Sequence, residues 1–354
     1  MKKKIFVFLV LSFAIGRLFS MDFSLLGLTS FSVESEKNKE TKSFSVEITP
    51  SFGVMFGRAS EYVYLDYDYY EGIKDYNPKL SQLDYDFSFP YFSLAVDSIL
   101  FKYLYLGGSF SIGIPLECGI MQDYDWLNVE NPSHQWANEL TNYSKHENHL
   151  DSYFDCKLNI GPHINILNKV SLIPLVGFGL DSIQFSAYNG SFKYGNIAIG
   201  GYTPIHIDSQ EFNYTGKDII YSQYSSDGKG NSSIHFNIGL KYLIKIIPRV
   251  LINGSCLFYP FYSVSSYDYH IRTGREYISV VAKSFKFSTD LKISFIFNKF
   301  LSAGIFGQFE IIPQYKGVTY SRLHNSGDYI YSNNCQSGIE RISGKVSLVF
   351  GLSF

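Results

Sequence analysis

Apolar and polar residues alternate one by one over long stretches of this 354-residue chain. In the stretch 43–58, the even positions from Phe44 to Phe56 are mostly apolar, whereas the odd positions from Ser43 to Gly53 are small or polar. Successive side chains of a β-strand point to opposite faces, so this pattern predicts a strand with one apolar and one polar face.

Ten stretches of the chain are strand-like in this way: 43–58, 84–97, 103–116, 149–160, 170–186, 233–240, 249–265, 281–295, 299–313 and 342–354. The connections between them alternate in length. Short ones lie near 98–102, 165–169, 246–249 and 298–299, and long polar ones span about 59–82, 119–149, 187–232, 266–278 and 314–340. An even number of strands, joined by short turns at one end and long loops at the other, is typical of an outer-membrane barrel.

We therefore predict an all-β fold, a ten-stranded antiparallel transmembrane β-barrel with long extracellular loops and short periplasmic turns. A soluble β-sandwich also alternates, with its polar face turned to water. The alternating loop lengths and the N-terminal segment favour the barrel.

The N-terminal segment has the form of a secretory signal. Lys2, Lys3 and Lys4 precede an apolar run from Ile5 to Ile15, and we expect the signal to end near Ser20. Residues 21–42 form a polar lead-in, and residues 43–354 form the predicted barrel. No later apolar run reaches the roughly 18 residues of a membrane-spanning helix. We expect a protein of the outer membrane.

Composition excludes some functions and favours one environment. The net charge of −2 gives no basis for nucleic-acid binding. Aromatic residues make up 18% of the chain, with 29 tyrosines, which suit a boundary between apolar and aqueous surroundings. The spacings of the four cysteines match no zinc site, and we predict no metal. We interpret the cysteines as small apolar side chains, with a Cys118–Cys156 disulfide left open.

Two pairs of chemically useful side chains stand where alternating segments pass into polar loops. Asp123 and Asp125 lie one residue apart, and Asp268 and His270 have the same spacing far downstream. In an extended backbone, residues two apart point to the same side. Continuing the polar odd face from Tyr103 places Asp123 and Asp125 on the lumen side of the barrel.

The second pair does not follow from simple continuation. Counting from Val250 would turn Asp268 and His270 towards lipid, where charged side chains are costly. A β-bulge shifts the register of a strand by one residue, and proline often marks such a break. We therefore predict an irregularity between about Pro260 and Ser266.

Five sequence elements together resemble the omptins, a family of ten-stranded outer-membrane endopeptidases. They are, in chain order, Glu61-Tyr-Val-Tyr64, Ser81-Gln-Leu-Asp84, Asp123-Tyr-Asp125-Trp126, Ser144-Lys-His146 and Asp268-Tyr-His270. Their order and spacing agree with the family over most of the chain after the signal.

The resemblance implies that Asp123 and Asp125 form one catalytic couple and that Asp268 and His270 form the other, with the attacking water between them. It also implies cleavage next to basic residues, with Glu61 as a substrate-binding carboxylate. A second acidic position of the family is Ser266 here, a departure that weakens the expected selectivity for Arg or Lys.

Omptins need bound lipopolysaccharide, and the resemblance implies such a requirement here, without any other cofactor. The lipid binds basic residues on the outer surface of the family's barrel. Arg58 and Lys283 are on outward faces near the loop end of the predicted barrel.

The residue types suit peptide hydrolysis by activated water. His270 has a side chain whose ordinary pKa lies near neutrality, and Asp268 would orient its ring. Two carboxylates as close as Asp123 and Asp125 should share a proton near neutral pH and so accept from water and donate to oxygen.

Other residues with similar chemistry have simpler interpretations. Ser144 near His146 has the composition of an activated nucleophile, but both fall in a predicted loop. His146 and His149 lack a clear third metal ligand and suggest surface histidines. The Asp-Tyr-Asp triplet also occurs at 66–68 and 84–86, so the triplet alone carries little weight.

The sequence thus predicts a monomeric outer-membrane endopeptidase, acting on peptides or proteins at the extracellular end of a barrel embedded in outer-membrane lipid. The main alternative is a barrel of the same build that does not cleave and serves as an adhesin or receptor. A small porin is a further alternative, although ten strands leave little open lumen.

Overall fold

The computed structural model describes residues 44–65, 78–129, 133–167, 169–198, 201–205 and 209–354. The predicted signal of residues 1–20 and the lead-in of residues 21–42 lie outside the described residues. Among the described residues, no helix is long and apolar enough to cross a membrane.

The described residues are dominated by β-strands, which are β1 (Ser45–Leu65), β2 (Lys79–Leu100), β3 (Leu104–Gly113), β4 (Glu117–Asp125), β5 (Asn142–Pro162), β6 (Ile164–Leu167), β7 (Val170–Tyr194), β8 (Ile197–Ala198), β9 (Gly201–Tyr202), β10 (Gln210–Ser225), β11 (His235–Ile247), β12 (Val250–His270), β13 (Arg275–Ile296), β14 (Leu301–Leu323) and β15 (Ile330–Ser353). The two short strands β8 and β9 pair only with each other.

The remaining strands form one antiparallel sheet that closes on itself. Strand β1 pairs with β2 along one edge and with the last strand, β15, along the other. Strands β3 and β4 lie end to end between β2 and β5, and β10 and β11 both lie between β7 and β12. Among the described residues, closure gives each strand of this sheet partners on both sides, except the four-residue β6, which pairs only with β7. Such closure satisfies the backbone hydrogen bonds of a membrane barrel.

The alternation of side chains is the one that the sequence predicts, with the apolar face outside. On β1, Phe52, Val54 and Phe56 are 57%, 44% and 47% exposed, whereas Met55 and Ala59 between and beyond them are buried in the lumen. A sandwich would bury such a row of large apolar residues in its core. The exposed rows on successive strands form an apolar belt around the barrel, which confirms the β-barrel prediction.

The strands run further than the alternation indicated. The stretches predicted as the long loops 119–149 and 187–232 contain the start of β5 at Asn142 and all of β10, and β12 continues to His270. Above the belt the outer face of the sheet becomes polar, so the alternation of apolar and polar residues ends while the backbone hydrogen bonds continue. The predicted loop bounds were therefore wrong at the polar end of the barrel.

Ionic side chains fill the lumen at the level of the belt. Asp181 accepts hydrogen bonds from Lys286 at 2.8 Å and from Arg341, and Glu310 lies 3.1 Å from Lys286 and 3.2 Å from Arg341. Lys157, Asp155 and Lys345 extend this network. All seven side chains are at most 9% exposed. Burying charge is costly unless each charge is paired, and here acidic and basic groups interdigitate.

Three of the cysteines are free thiols in three different environments. Cys118 is buried, Cys156 is half-buried and Cys256 is exposed on the outer face. The Cys118–Cys156 disulfide that the sequence left open is thus absent.

Removing one member of the lumen network should cost far more stability than removing an external ion pair. We expect Arg341→Met to lower the free energy of unfolding by about 3–5 kcal/mol, because Asp181 keeps its buried charge without that partner. The exposed Arg58–Asp86 pair is the control, and Arg58→Met should cost less than about 1 kcal/mol. Urea unfolding in detergent micelles measures both, and equal losses would contradict the expectation.

Candidate active site

The predicted site residues lie inside the barrel above the apolar belt. On the outer face of β1 the apolar row stops at Phe56, and the next outward side chains are Arg58, Ser60 and Tyr62. Tyr62 donates a hydrogen bond to Glu340 at 2.9 Å on this polar outer surface. The groups at and above the level of Glu61 are therefore outside the membrane-spanning part of the strands.

The Asp268–His270 pair reaches the lumen because β12 changes register. Pairing between β12 and β13 shifts between Tyr259 and Tyr262 and again between Tyr262 and Val264, which confirms the predicted irregularity. Phe261 is 82% exposed at the break, whereas Ser266 and Asp268 beyond it are buried. The bulge thus moves the polar residues of upper β12 from the lipid side to the lumen side.

Asp268 and His270 form a direct hydrogen bond. Nε2 of His270 lies 2.6 Å from Oδ2 of Asp268. Burial disfavours the imidazolium, but the charge and hydrogen bond of Asp268, together with the charge of Asp123, outweigh burial and raise the pKa of His270 to about 9. This couple therefore holds a proton more firmly than a free histidine.

Asp123 and Asp125 end β4, opposite Ser144 and Asn142 of β5. The amide nitrogen of Asn142 donates to Oδ2 of Asp125 at 3.5 Å. Oδ1 of Asp123 is buried and has no hydrogen-bond partner in the described part of the chain. Burial and then the charge of Asp125 raise the pKa of Asp123 well above its ordinary value, and burial also raises that of Asp125. The two carboxyls thus tend to hold a proton between them.

The two couples lie within each other's electric field. The charge of His270 favours ionisation of both Asp123 and Asp125, while Asp268 opposes ionisation of Asp123. The fold thus brings together pairs that are more than 140 residues apart in the chain, across the upper lumen of the barrel.

A small polar pocket adjoins the couples. Both carboxylate oxygens of the buried Glu61 accept hydrogen bonds, from Ser266 at 2.8 Å and from Ser279 at 2.6 Å. Burial, followed by the charge of Asp268, raises the pKa of Glu61 to about 7. The predicted substrate-binding residues Glu61 and Ser266 are thus in direct contact, and Ser279 is a third member that the sequence did not reveal.

Ser144 and His146 lie on β5 and face the lumen, so their placement in a loop was wrong. Their side chains are hydrogen-bonded, with Ser144 Oγ 2.9 Å from His146 Nε2, and both are buried. Burial and then the charges of His270 and Arg272 lower the pKa of His146 to about 4. His146 is therefore neutral and lines the lumen beside the site.

His149 is half-buried on the opposite face of β5. Among the described residues, no histidine, cysteine and carboxylate groups cluster as a metal site.

Sequence reasoning also missed Arg272, Tyr194 and Asp218 around the mouth of the cleft. Arg272 lies 3.7 Å from Asp218 and donates to Tyr194 at 3.2 Å. Arg272 follows His270 at the same two-residue spacing, a signal that would have pointed to it.

Arg58, one of the two predicted lipid contacts on the outer surface, is paired with acidic side chains. Arg58 lies 2.6 Å from Asp86 and 3.7 Å from Asp84, so two carboxylates compensate its one charge. The second Asp-Tyr-Asp triplet thus has an external ion-pairing role. Lys283 is exposed on β13.

Comparison with known proteins identifies the family and the fold of the chain. The sequence model of the Omptin family matches residues 40–354. This chain belongs to the omptin family. The crystal structure of the outer membrane protease OmpT from Escherichia coli matches with a TM-score of 0.73 at 22% identity, over 89% of this chain and 99% of that one. The fold of this omptin is therefore the fold of that structure.

Other solved structures are much less similar to this omptin. The outer membrane protein OprG from Pseudomonas aeruginosa matches with a TM-score of 0.35 at 9% identity, over 88% of this chain and 97% of that one. The comparison with curated protein sequences gives no match.

Replacing Asp268 should release the proton that His270 holds. In Asp268→Asn we expect the pKa of His270 to fall from about 9 to below 7, because burial continues to disfavour the imidazolium while its main stabilising charge is gone. In the unchanged protein, the stability from this proton is present below the ordinary histidine pKa near 6.5 and is lost as pH rises through about 9. NMR titration of imidazole carbons measures the shift. The matched control is Asp86→Asn on the outer surface, and an equal shift there would contradict the assignment.

Proposed function

We propose that this omptin is an outer-membrane endopeptidase that hydrolyses peptide bonds with a water molecule held between the Asp123–Asp125 and Asp268–His270 couples. The observation that carries the proposal is the short Asp268–His270 hydrogen bond, placed within the field of a carboxyl pair whose pKa values are raised. Membership of a family that includes an outer membrane protease supports it.

His270 is proposed to act twice, first as a base and then as an acid. Because its raised pKa keeps it protonated in most molecules at neutral pH, the reaction starts from the neutral imidazole, in which Nε2–H donates to Asp268 and Nδ1 accepts a proton from water as oxygen attacks the peptide carbonyl. The protonated member of the Asp123–Asp125 couple donates a hydrogen bond to the oxyanion that forms. His270 then gives its proton to the departing amine as the carbon–nitrogen bond breaks. The spacing between the couples should therefore admit one water molecule.

The barrel is proposed to have ten strands around its circumference and to act as a monomer. The count takes β3 and β4 together as one barrel strand, and likewise β10 and β11, while the short β6 follows β5 and pairs with β7. We place the site at the extracellular end, because the longer connections, such as that from Leu65 to Lys79, lie there.

Preference for basic substrates is proposed to come from Glu61. A buried carboxylate beside the couples would attract a lysine or arginine side chain of the substrate. Ser266 and Ser279 occupy both of its oxygens, and its pKa of about 7 leaves it only partly ionised at neutral pH. We therefore expect a moderate preference that depends on pH.

A porin is disfavoured by the ionic network that fills the lumen at the level of the belt. An adhesin or receptor of the same build needs no pairing of a buried histidine with carboxylates. Conductance in planar bilayers tests the porin, and binding of host proteins without cleavage would favour the adhesin.

Loss of either couple should abolish cleavage. We expect Asp125→Asn and His270→Ala to lower kcat by at least about 100-fold on fluorogenic peptides that contain Arg-Arg or Lys-Lys, the usual effect of removing a general acid or base. Asp86→Asn on the outer surface is the control and should retain activity. Cleavage that survives both site changes would discard the mechanism.

The attacking group is tested separately. A water mechanism predicts no burst of the first product in rapid-mixing experiments, because no acyl-enzyme accumulates. A burst equal to the enzyme concentration, lost in Ser144→Ala, would replace water by the Ser144 hydroxyl.

Basic-residue preference should weaken in acid. Because the pKa of Glu61 is about 7, its carboxylate gains its charge as pH rises through 7, so the ratio of kcat/KM for Arg over Gln peptides should rise from pH 6 to pH 8. Glu61→Gln should remove this rise. A ratio that changes equally in Glu61→Gln would assign the preference elsewhere.

A lipopolysaccharide requirement is part of the proposal and is tested by assaying refolded protein with and without the lipid. The pairing of Arg58 with Asp84 and Asp86 leaves Lys283 as the basic residue to replace first.

A further inference from the structure

Arg272, in the turn that follows β12, is held by aromatic and acidic groups from two strands, β7 and β10. Its guanidinium carbon lies 4.4 Å from the ring centre of Phe192 and 5.3 Å from that of Phe212, and these two rings stack on each other at 4.8 Å. Asp218 lies 3.7 Å from its Nε, and its backbone neighbour Ile271 donates to the Asp218 carbonyl at 2.7 Å. Stacking and pairing fix the plane of the guanidinium before any ligand arrives.

Much of the hydrogen-bonding capacity of Arg272 is unused among the described residues. A guanidinium has five N–H donors, and one of them donates to Tyr194 at 3.2 Å. The 3.7 Å separation from Asp218 is an ion pair but is too long for a hydrogen bond. The side chain is 31% exposed, so part of it is open to solvent.

The position of Arg272 links it to the reacting groups. Its partner Tyr194 lies close to the first couple, since burial and then the charges of Asp123 and Asp125 raise the pKa of the Tyr194 hydroxyl. Phe192, on which Arg272 stacks, also contacts His146, with ring centres 5.1 Å apart. Arg272 itself follows His270 by two residues. We therefore expect a peptide substrate bound between the two couples to lie near the guanidinium of Arg272.

We propose that Arg272 binds a carboxylate of the substrate at the mouth of the cleft and so selects for an acidic group near the cleaved bond. The proposal rests on the proposed protease function of the same cleft. The remaining ionisable groups of the cleft, at Glu61, Asp123, Asp125, Asp218 and Asp268, are mostly acidic and would repel such a group. A fixed, partly exposed guanidinium compensates this repulsion at one place and offers the planar donor pair that a carboxylate accepts.

The carboxylate has two possible sources, an acidic side chain or the C-terminus of the substrate. The test uses peptides that carry one Arg-Arg site. In each pair of peptides, either Asp or Asn occupies one of the three positions before or after that site. Each peptide is made with a free C-terminus and with a C-terminal amide. The comparison of Asp with Asn shows whether an acidic side chain is recognised. The comparison of free acid with amide shows whether the C-terminal carboxylate is recognised.

The proteins compared are the unchanged chain, Arg272→Gln, Arg272→Lys and Arg249→Gln. Arg249 is exposed in the turn after β11, at the opposite end of the barrel, and so removes the same charge far from the cleft. The readouts are kcat/KM for cleavage and the affinity of labelled peptides for the Asp125→Asn protein, with and without Arg272→Gln. Because binding is measured without cleavage, the test of Arg272 does not depend on catalysis.

We expect the unchanged chain to favour one carboxylate-bearing peptide over its uncharged twin by roughly tenfold, the effect of one hydrogen bond to a charged group. Arg272→Gln should reduce this ratio to about one, Arg272→Lys should keep part of it, and Arg249→Gln should keep all of it. If Arg272→Gln fails to fold, the partial loss in Arg272→Lys carries the test.

Two results would overturn the proposal: no carboxylate preference in either readout for the unchanged chain, or a preference that persists in Arg272→Gln. A purely structural Arg272 would lower activity on acidic and uncharged peptides alike. A carboxylate preference in binding without any cleavage would support the Arg272 site while refuting the protease function.

Discussion

The pairing of the first barrel strand with the last is the interaction on which the rest of the structure depends. Strand β1 pairs antiparallel with β2 and with β15 from Glu47 to beyond Glu61, so the sheet is continuous around β1 at the level of the site. Closure satisfies backbone hydrogen bonds that lipid could not satisfy. It also forces every second side chain into a narrow lumen, where polar and charged groups from distant parts of the chain meet.

That confinement explains both the ionic network and the site above it. At the level of the belt, each acidic group of the network is paired with basic groups, as Asp181 is with Lys286 and Arg341. Higher up, carboxyls outnumber cations. Burial raises the pKa values of Glu61, Asp123 and Asp125, and repulsion by neighbouring carboxylates adds to the rise at Glu61 and Asp123. His270, paired with Asp268, is the cation that these carboxyls surround. A surplus of buried acid around one imidazole allows protons to move at neutral pH, whereas the paired layer below holds its charges fixed.

The bulge in β12 shows how one local irregularity decides chemistry. Without the shift between Tyr259 and Val264, Ser266, Asp268 and His270 would point outwards, and Glu61 would lose its hydrogen bond from Ser266. The cost is a solvent-facing or lipid-facing Phe261 on the outer wall. Apolar exposure is tolerated there because the wall is already apolar, while a misplaced Asp268 would not be.

The sequence by itself determined the barrel, because long alternation with one apolar face is typical of a membrane β-sheet, and it predicted the irregularity between Pro260 and Ser266, because charge is costly in lipid. It also predicted that Asp123 with Asp125, and Asp268 with His270, point to the same side of their strands. It did not show where the strands end above the belt, since the outer face is polar there and Ser144 and His146 have the composition of loop residues. Only the tertiary structure decided that Ser279 donates a hydrogen bond to Glu61, that His146 is buried and neutral in the lumen, and that Arg272 stacks on Phe192. Those contacts join strands far apart in sequence, and their distances are set by closure of the sheet, which no local pattern encodes.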